Sequence, residues 1–240
     1  MAKVQRRVVK RGRQQGLSTG QILMILGGAI VVVVVLAYLL WPRPKVVVAG
    51  DPQGLVMCGS VPCPAKGDPN APVKMVEVSS FTCSHCANYA LTIEPKIDEQ
   101  YIQTGKVYYI AHVLGFDSQA QQLGAAALCA NDQGKYWEYS KLLFQNFGRT
   151  DAASLASFAQ QAGLDTQAFA TCVNSGKHTK DASDSSSSAM SAGVDATPSF
   201  FLNGVLAVRG AVPFSCKAGT PECSAGDFQS RIEKALQGVK

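Results

Sequence analysis

Hydrophobic positions along the chain fall into three patterns. One is unbroken: Ile22 to Trp41 is twenty residues without a charge and includes Val31 through Val35. At about 1.5 Å per residue a helix of that length spans roughly 30 Å, the thickness of a bilayer core. The second pattern is short apolar runs bounded by turn residues, which read as strands. They are Val73–Ser80, Lys106–Ala111 just after Gly105, Ser199–Leu202 and Val205–Val208. Asn203-Gly204 joins the last two and is a two-residue hairpin signal. The third is helical spacing. One such stretch runs from Ala87 to about Thr104, and Pro95 inside it predicts a kink or a split. Others are Ser118–Asn131, Lys135–Phe147, Asp151–Ala162, Asp165–Val173, Lys177–Ala192 and Asp227–Leu236. In Lys135–Phe147 the stripe Tyr136, Trp137, Tyr139, Leu142, Leu143 and Phe147 reads as core. The run Ser185–Ser188 reads as an exposed face. The order is strand, helix, strand, a helical block, a hairpin and a helix, which is an α/β arrangement.

Charge changes the picture at one end. The 240 residues carry a net charge of +5, yet Lys3, Arg6, Arg7, Lys10, Arg11 and Arg13 give +6 to residues 1–21, which contain no acid. The remainder is therefore close to neutral, which argues against a nucleic-acid-binding domain. Six positive charges before a long apolar run predict a cytoplasmic N-terminus and an exported remainder. The apolar run exceeds the 7–15 residues usual in a cleaved signal peptide. The expected division is a basic cytoplasmic tail over 1–21, a transmembrane anchor over 22–41, a linker over 42–66 and a folded domain over 67–240. The linker reading rests on Pro42, Pro44, Pro52, Pro62 and Pro64. Its Lys45–Val48 run is a candidate edge strand.

The chain has eight cysteines, which in an exported domain points to disulfides. Two of them lie in Phe81-Thr82-Cys83-Ser84-His85-Cys86, where a strand turns into a helix. The spacing puts the two sulfurs about one turn apart. The first faces unpaired N–H groups at the helix start, which favour a thiolate, as does a protonated His85. Alone, such a pair also fits half a zinc site or two packed thiols, and Cys58 with Cys63 upstream offers a second ligand pair. The strand-before, helix-after context favours redox chemistry. Cys58–Cys63 also forms a Gly/Pro-containing loop able to close on itself. The six cysteines outside the motif allow 15 connectivities, and sequence does not choose among them.

Thr197-Pro198 directly precedes the third strand, where proline is tolerated as a trans turn or held as a cis bond. With this element the chain resembles the DsbA-like thiol–disulfide oxidoreductases of the thioredoxin superfamily. The resemblance covers about Gly67 to Gln237. It rests on Gly67-Asp68-Pro69-Asn70-Ala71-Pro72-Val73, Cys83-Ser84-His85-Cys86, the helical block, and Thr197-Pro198-Ser199-Phe200-Phe201-Leu202-Asn203-Gly204. It implies a thioredoxin fold with a helical insertion, at about 115–193, between its second and third strands. It implies a cis-Pro198 beside the active cysteines, with Thr197 offering backbone hydrogen bonds to an extended substrate. It also implies that Glu77 is a partly buried acid exchanging a proton with Cys86, against the alternative of an acid on a solvent-facing edge. A structural bridge between Cys129 and Cys172 is implied as well. His112 and His178 read as structural. DsbA itself has proline and histidine between its cysteines; here Ser84 replaces the proline and His85 is retained.

The implied activity is extracytoplasmic oxidation of cysteine pairs in exported proteins, with Cys83 as nucleophile and Cys86 as resolving thiol. It needs no cofactor. Its partners are exported thiol-bearing proteins and a membrane quinone-linked oxidase that resets the pair. The alternatives are a reductase or isomerase using the same residues, a copper-binding module using Cys83, Cys86 and His85, and a non-catalytic binding domain.

Overall fold

A computed structural model of the chain describes residues 54–238. The tail over 1–21, the anchor over 22–41 and the Lys45–Val48 candidate strand lie outside those residues. Among the described residues no helix is long and apolar enough to cross a membrane.

The linker reading over 42–66 is corrected at its end. Residues from Gly54 onward are folded, with Leu55 and Cys58 fully buried. Strands β1 (Met57–Cys58) and β2 (Val61–Pro62) form a small antiparallel hairpin, and β3 (Ala65–Lys66) joins the main sheet. Counting prolines missed this because Leu55, Cys58 and Cys63 supply buried side chains between them.

The main sheet is built from β3, β4 (Val73–Ser79), β5 (Val107–Val113), β6 (Ser199–Leu202) and β7 (Val205–Arg209), in the order β3-β5-β4-β6-β7. β4 runs parallel to β5, and the other pairings are antiparallel. Central strands are covered on both faces, and β4 is buried along its length except at Lys74. Alternation sends Val76 and Val78 into one core with Ile110, Leu128 and Phe158. It sends Val73 and Met75 into another with Tyr89, Tyr109, Phe200 and Phe228. The β6–β7 hairpin turns on Asn203 (φ 47°) and Gly204 (φ 82°), both left-handed, as its two-residue connection requires.

The first helix, α1 (Ser84–Thr92), ends at Ile93. A short α2 (Glu94–Ile97) follows with Pro95 in its first turn, then a wide π turn over Asp98–Ile102. Pro95 thus splits the helix as expected, because it lacks the N–H that would continue it. The helical block lies between β5 and β6. It comprises α3 (Ser118–Asn131), α4 (Tyr136–Gln145), α5 (Ala152–Gln161), α6 (Thr166–Asn174) and α7 (Thr179–Ser191), and α8 (Phe228–Gly238) closes the chain. Asp117, Asp151 and Asp165 cap α3, α5 and α6 by accepting from backbone N–H groups.

Two local expectations change. Phe147 is exposed, because α4 ends at Gln145. Ser185 and Ser186 are buried rather than on an exposed face. Their polar atoms serve the packing: the Ser186 hydroxyl accepts from Gly115 N, and the Ser185 carbonyl meets His112 Nε2 at 2.9 Å.

Three disulfides tie the domain: Cys58–Cys63, Cys129–Cys172 and Cys216–Cys223. The second, implied by the resemblance, pins α3 to α6. The first takes up the two cysteines that offered a zinc-ligand pair to the motif.

Candidate active site

The site forms where β4 ends and α1 begins. Ser80 and Thr82 bond to each other in the connecting turn, and Cys83 N donates to Ser80 O at 3.1 Å. Cys83 is the N-cap of α1, with extended φ and ψ of −99° and 117°. Its sulfur accepts from Cys86 N at 3.4 Å, so an orphan donor of the helix start is satisfied by sulfur. Cys83 and Cys86 are free thiols; Cys83 is half-buried and Cys86 is 0% exposed. That difference fixes which one a partner can reach.

The electrostatics separate the two thiols. Cys83 is pulled down from an ordinary 9.0 to about 5. The hydrogen bond from the Cys86 thiol does most, and burial opposes it; the Thr197 side chain and the N–H groups of Cys86 and His85 add to it. Cys86 moves the other way, pushed up by its bond to Cys83 and by burial. The expected aid from a His85 cation takes another form here. Its ring is exposed and makes no hydrogen bond among the described residues, and its contribution to Cys83 is its backbone N–H.

Thr197–Pro198 is a cis peptide. Pro198 is buried, Thr197 is half-buried, and Cys83 Sγ lies 3.4 Å from the Thr197 carbonyl. Proline 198 therefore stands beside the cysteines, and the residue before it frames the exposed sulfur.

Glu77 lies on β4 at 4% exposure, which excludes the solvent-facing edge. Its carboxyl is raised from 4.5 to about 7, mainly by burial and then by repulsion from Glu94; the Tyr109 hydroxyl and Lys66 oppose this. Tyr109 Oη donates to Glu77 Oε2 at 2.6 Å, and Tyr89 Oη stands 3.0 Å from Tyr109 Oη. Lys66 Nζ pairs with Glu94 at 2.9 Å and lies 4.4 Å from the Trp137 ring centre. Sequence reading missed Tyr89, Tyr109, Glu94 and Lys66. Strand alternation does place Tyr109 on the face of Glu77, since Ala111 is the partner of Glu77 in register. Nothing local marked Lys66, which reaches the group from the added strand β3.

The histidines are structural in geometry. His112 Nδ1 lies 2.9 Å from Leu55 O and 3.4 Å from Cys63 Sγ. His178 bridges Asp132 and Asp181 at 2.9 and 2.8 Å, and Asp181 in turn accepts from Ser60. These contacts fasten the N-terminal hairpin to the helical block.

The strand–helix thiol pair and the facing cis-proline define a class, and comparison with known proteins agrees. The thioredoxin family profile matches residues 61–209, and the chain belongs to that family. A Rickettsia felis protein described as a protein-disulfide oxidoreductase is 31% identical over 182 residues, covering 72% of this chain and 60% of that protein. Disulfide bond formation protein D of Bacillus cereus is 28% identical over 151 residues, covering 59% of this chain and 70% of that one. The chain thus spans about 60% of the length of the Rickettsia felis relative. Among solved structures, Wolbachia pipientis alpha-DsbA1 has 28% identity and a TM-score of 0.58, covering 73% of this chain and 91% of that chain. Oxidised BdbD of Bacillus subtilis shares the fold, with a TM-score of 0.60 at 18% identity and coverage of 73% and 94%.

Proposed function

We propose that the chain is a thiol–disulfide oxidoreductase that oxidises cysteine pairs in exported proteins, tethered to the extracytoplasmic face of a membrane. One observation carries the chemistry: of two thiols in reach of each other, the exposed one is stabilised as thiolate and the buried one as thiol. In the oxidised enzyme Cys83 and Cys86 share a disulfide. A substrate thiolate attacks the Cys83 sulfur, the bond to Cys86 breaks, and a mixed disulfide forms. A second substrate thiolate then attacks the substrate sulfur and releases Cys83 as thiolate. Two electrons pass from the substrate dithiol to the enzyme. Because the leaving group is the stabilised thiolate, release is fast and the reduced enzyme is favoured, which makes the disulfide an oxidant. Thr197 offers its backbone to an extended substrate segment next to the sulfur, a form of strand addition.

A membrane quinone-linked oxidase is the proposed acceptor for the electrons. The tether rests on the charge pattern of residues 1–21 and the apolar run that follows. A protease or cysteine-reactive probe on intact cells should reach residues after Trp41 and spare residues 1–21.

The catalytic reading is tested by Cys86→Ser, which should accumulate mixed disulfides through Cys83, while Cys83→Ser accumulates none. Trapping through Cys86 overturns the assignment. Direction is tested separately: the wild type should oxidise a dithiol peptide faster than it reduces insulin, and the opposite ranking makes it a tethered reductase.

A further inference from the structure

Three clusters of potential metal ligands occur among the described residues, and each contains one of the disulfides. They differ in what the third residue has left to give. His178 stands beside Cys129 and Cys172, but Asp132 and Asp181 hold its two ring nitrogens. Asp227 stands beside Cys216 and Cys223, and its oxygens already accept from the N–H groups of Cys216 and Ser230. His112, beside Cys58 and Cys63, is held differently. Its Nδ1 lies 2.9 Å from Leu55 O and its Nε2 lies 2.9 Å from Ser185 O. The ring is fully buried with no carboxylate among these partners, so it is neutral. A neutral imidazole donates through one nitrogen only. Either tautomer therefore points a lone pair at a carbonyl oxygen. Ser185 lies within α7, whereas Leu55 O has no backbone N–H partner among the described residues. The same Nδ1 faces Cys63 Sγ at 3.4 Å.

We propose that the N-terminal hairpin, with its disulfide open, is a zinc site in which Cys58 Sγ, Cys63 Sγ, His112 Nδ1 and the Leu55 carbonyl oxygen hold one Zn²⁺. The two sulfurs and the ring nitrogen all lie within 4.8 Å of one another. Tetrahedral zinc, with bonds of about 2.0–2.3 Å, sets neighbouring donors roughly 3.3–3.8 Å apart, which is how Nδ1 and Cys63 Sγ already stand. The second layer fits as well. With Nδ1 on the ion, Nε2–H donates to Ser185 O, the arrangement that orients a metal-bound histidine. Val113 N donates to Cys58 Sγ at 3.5 Å, which suits a sulfur carrying negative charge. Leu55, Cys58, Cys63 and His112 are all buried, so the site is closed and structural, without an open position for substrate. The ion enters as the hairpin folds onto β5 and α7, which couples binding to folding. A dithiol reductant opens Cys58–Cys63, taking the disulfide itself and leaving two thiols. Zn²⁺ then displaces their two protons, and the Nδ1 proton moves to Nε2. In reverse, a disulfide oxidant takes two electrons from the thiolate pair, leaves as a dithiol, and frees the ion. Zinc and disulfide are thus alternative fastenings for one hairpin, and the ion takes no part in the chemistry at Cys83.

The test uses the full chain reduced by a phosphine, with Cys83→Ser and Cys86→Ser to keep the exposed motif out of the count. Zn²⁺ is the probe, and alkylation followed by peptide mapping reports which thiols it shields. One ion per chain should bind and shield Cys58 and Cys63, leaving Cys129, Cys172, Cys216 and Cys223 open to alkylation. Co²⁺ in its place should give the intense visible bands of a tetrahedral ion and a sulfur-to-cobalt band in the near ultraviolet. Adding Cys58→Ser with Cys63→Ser should abolish both signals. His112→Gln should weaken Zn²⁺ binding by at least about tenfold, the least that loss of even an outer partner of a metal site costs. The oxidised chain, whose sulfurs are bonded to each other, should take up no ion. If His112→Gln fails to fold, the shielding map of the parent chain decides the matter by itself. No uptake by the reduced chain, shielding of the other four cysteines in place of Cys58 and Cys63, or equal uptake by the oxidised chain overturns the site. Each of these leaves the proposed redox function standing.

Discussion

Two closely spaced cysteine pairs in this molecule have opposite fates. Cys83 and Cys86 are three apart, Cys58 and Cys63 five apart, and each pair has a histidine near it. The first pair is open and one sulfur is exposed; the second is a buried disulfide. What differs is the set of dipoles around sulfur. Cys83 sees N–H groups of a helix start and the thiol of Cys86. Cys58 and Cys63 lie in and beside the β1–β2 hairpin, buried, joined to each other and away from any helix start. Reactivity therefore follows from the element that positions the pair and from exposure, and spacing alone would rank the two pairs together.

The sharpest way to break this comparison is to remove one pair at a time. Cys83→Ser should abolish peptide oxidation, whereas Cys58→Ser with Cys63→Ser should keep it within a few-fold of wild type. Comparable losses in both would mean that the hairpin disulfide takes part in exchange.

Stability should instead follow the length of the loop that each disulfide closes. Loop-entropy arithmetic gives about 4 kcal/mol for the Cys129–Cys172 bridge and about 2 kcal/mol for Cys58–Cys63, because the first closes the longer loop. Denaturant unfolding of the two double-alanine variants under oxidising conditions checks this order.

Glu77 supplies the next effect. The folded protein holds its proton up to about pH 7, while the unfolded chain releases it near 4.5. The favourable contribution is therefore complete below pH 4.5 and is lost as pH rises through 7. The full swing is roughly 3 kcal/mol for a fully buried carboxyl. Glu77→Gln should flatten the fall in unfolding free energy between pH 5 and pH 8. An unchanged pH profile would place the raised carboxyl elsewhere.

The smallest effect separates side chain from backbone at the helix start. Thr197→Val removes a hydrogen bond that lowers Cys83 and should raise the pH at which that thiol is alkylated. His85→Ala should move it less, since the ring is exposed and the backbone N–H remains. A larger shift in His85→Ala would restore the imidazole as the main source of thiolate stability.

Much of this was legible beforehand, for identifiable reasons. The strands around the motif, the split at Pro95 and the Asn203-Gly204 hairpin follow from local rules, and local rules decide them. The motif's place between strand and helix is likewise a property of about fifteen adjacent residues. Burial of Glu77 came from family resemblance, because a lone acid in a strand does not reveal which strand is central. The N-terminal hairpin and β3 stayed hidden: their partners, Tyr109, Ile110 and Asp181, lie 43 to 121 residues away. Lys66 therefore looked like linker although it supplies a charge near the site. Ser185 and Ser186 misled for the same reason, since their hydroxyl and carbonyl partners are on or just after β5.

The central claim is that the helix start and the buried neighbour thiol make Cys83 a thiolate at neutral pH. Thiolate absorbance of the reduced Cys86→Ala protein would remove one of those causes, so the measurement belongs on the reduced wild type, with Cys83 identified by the pH dependence of its alkylation. The account predicts a midpoint at about 5 for Cys83, with Cys86 unreactive across neutral pH. A Cys83 midpoint near 9.0, the ordinary thiol value, would contradict it.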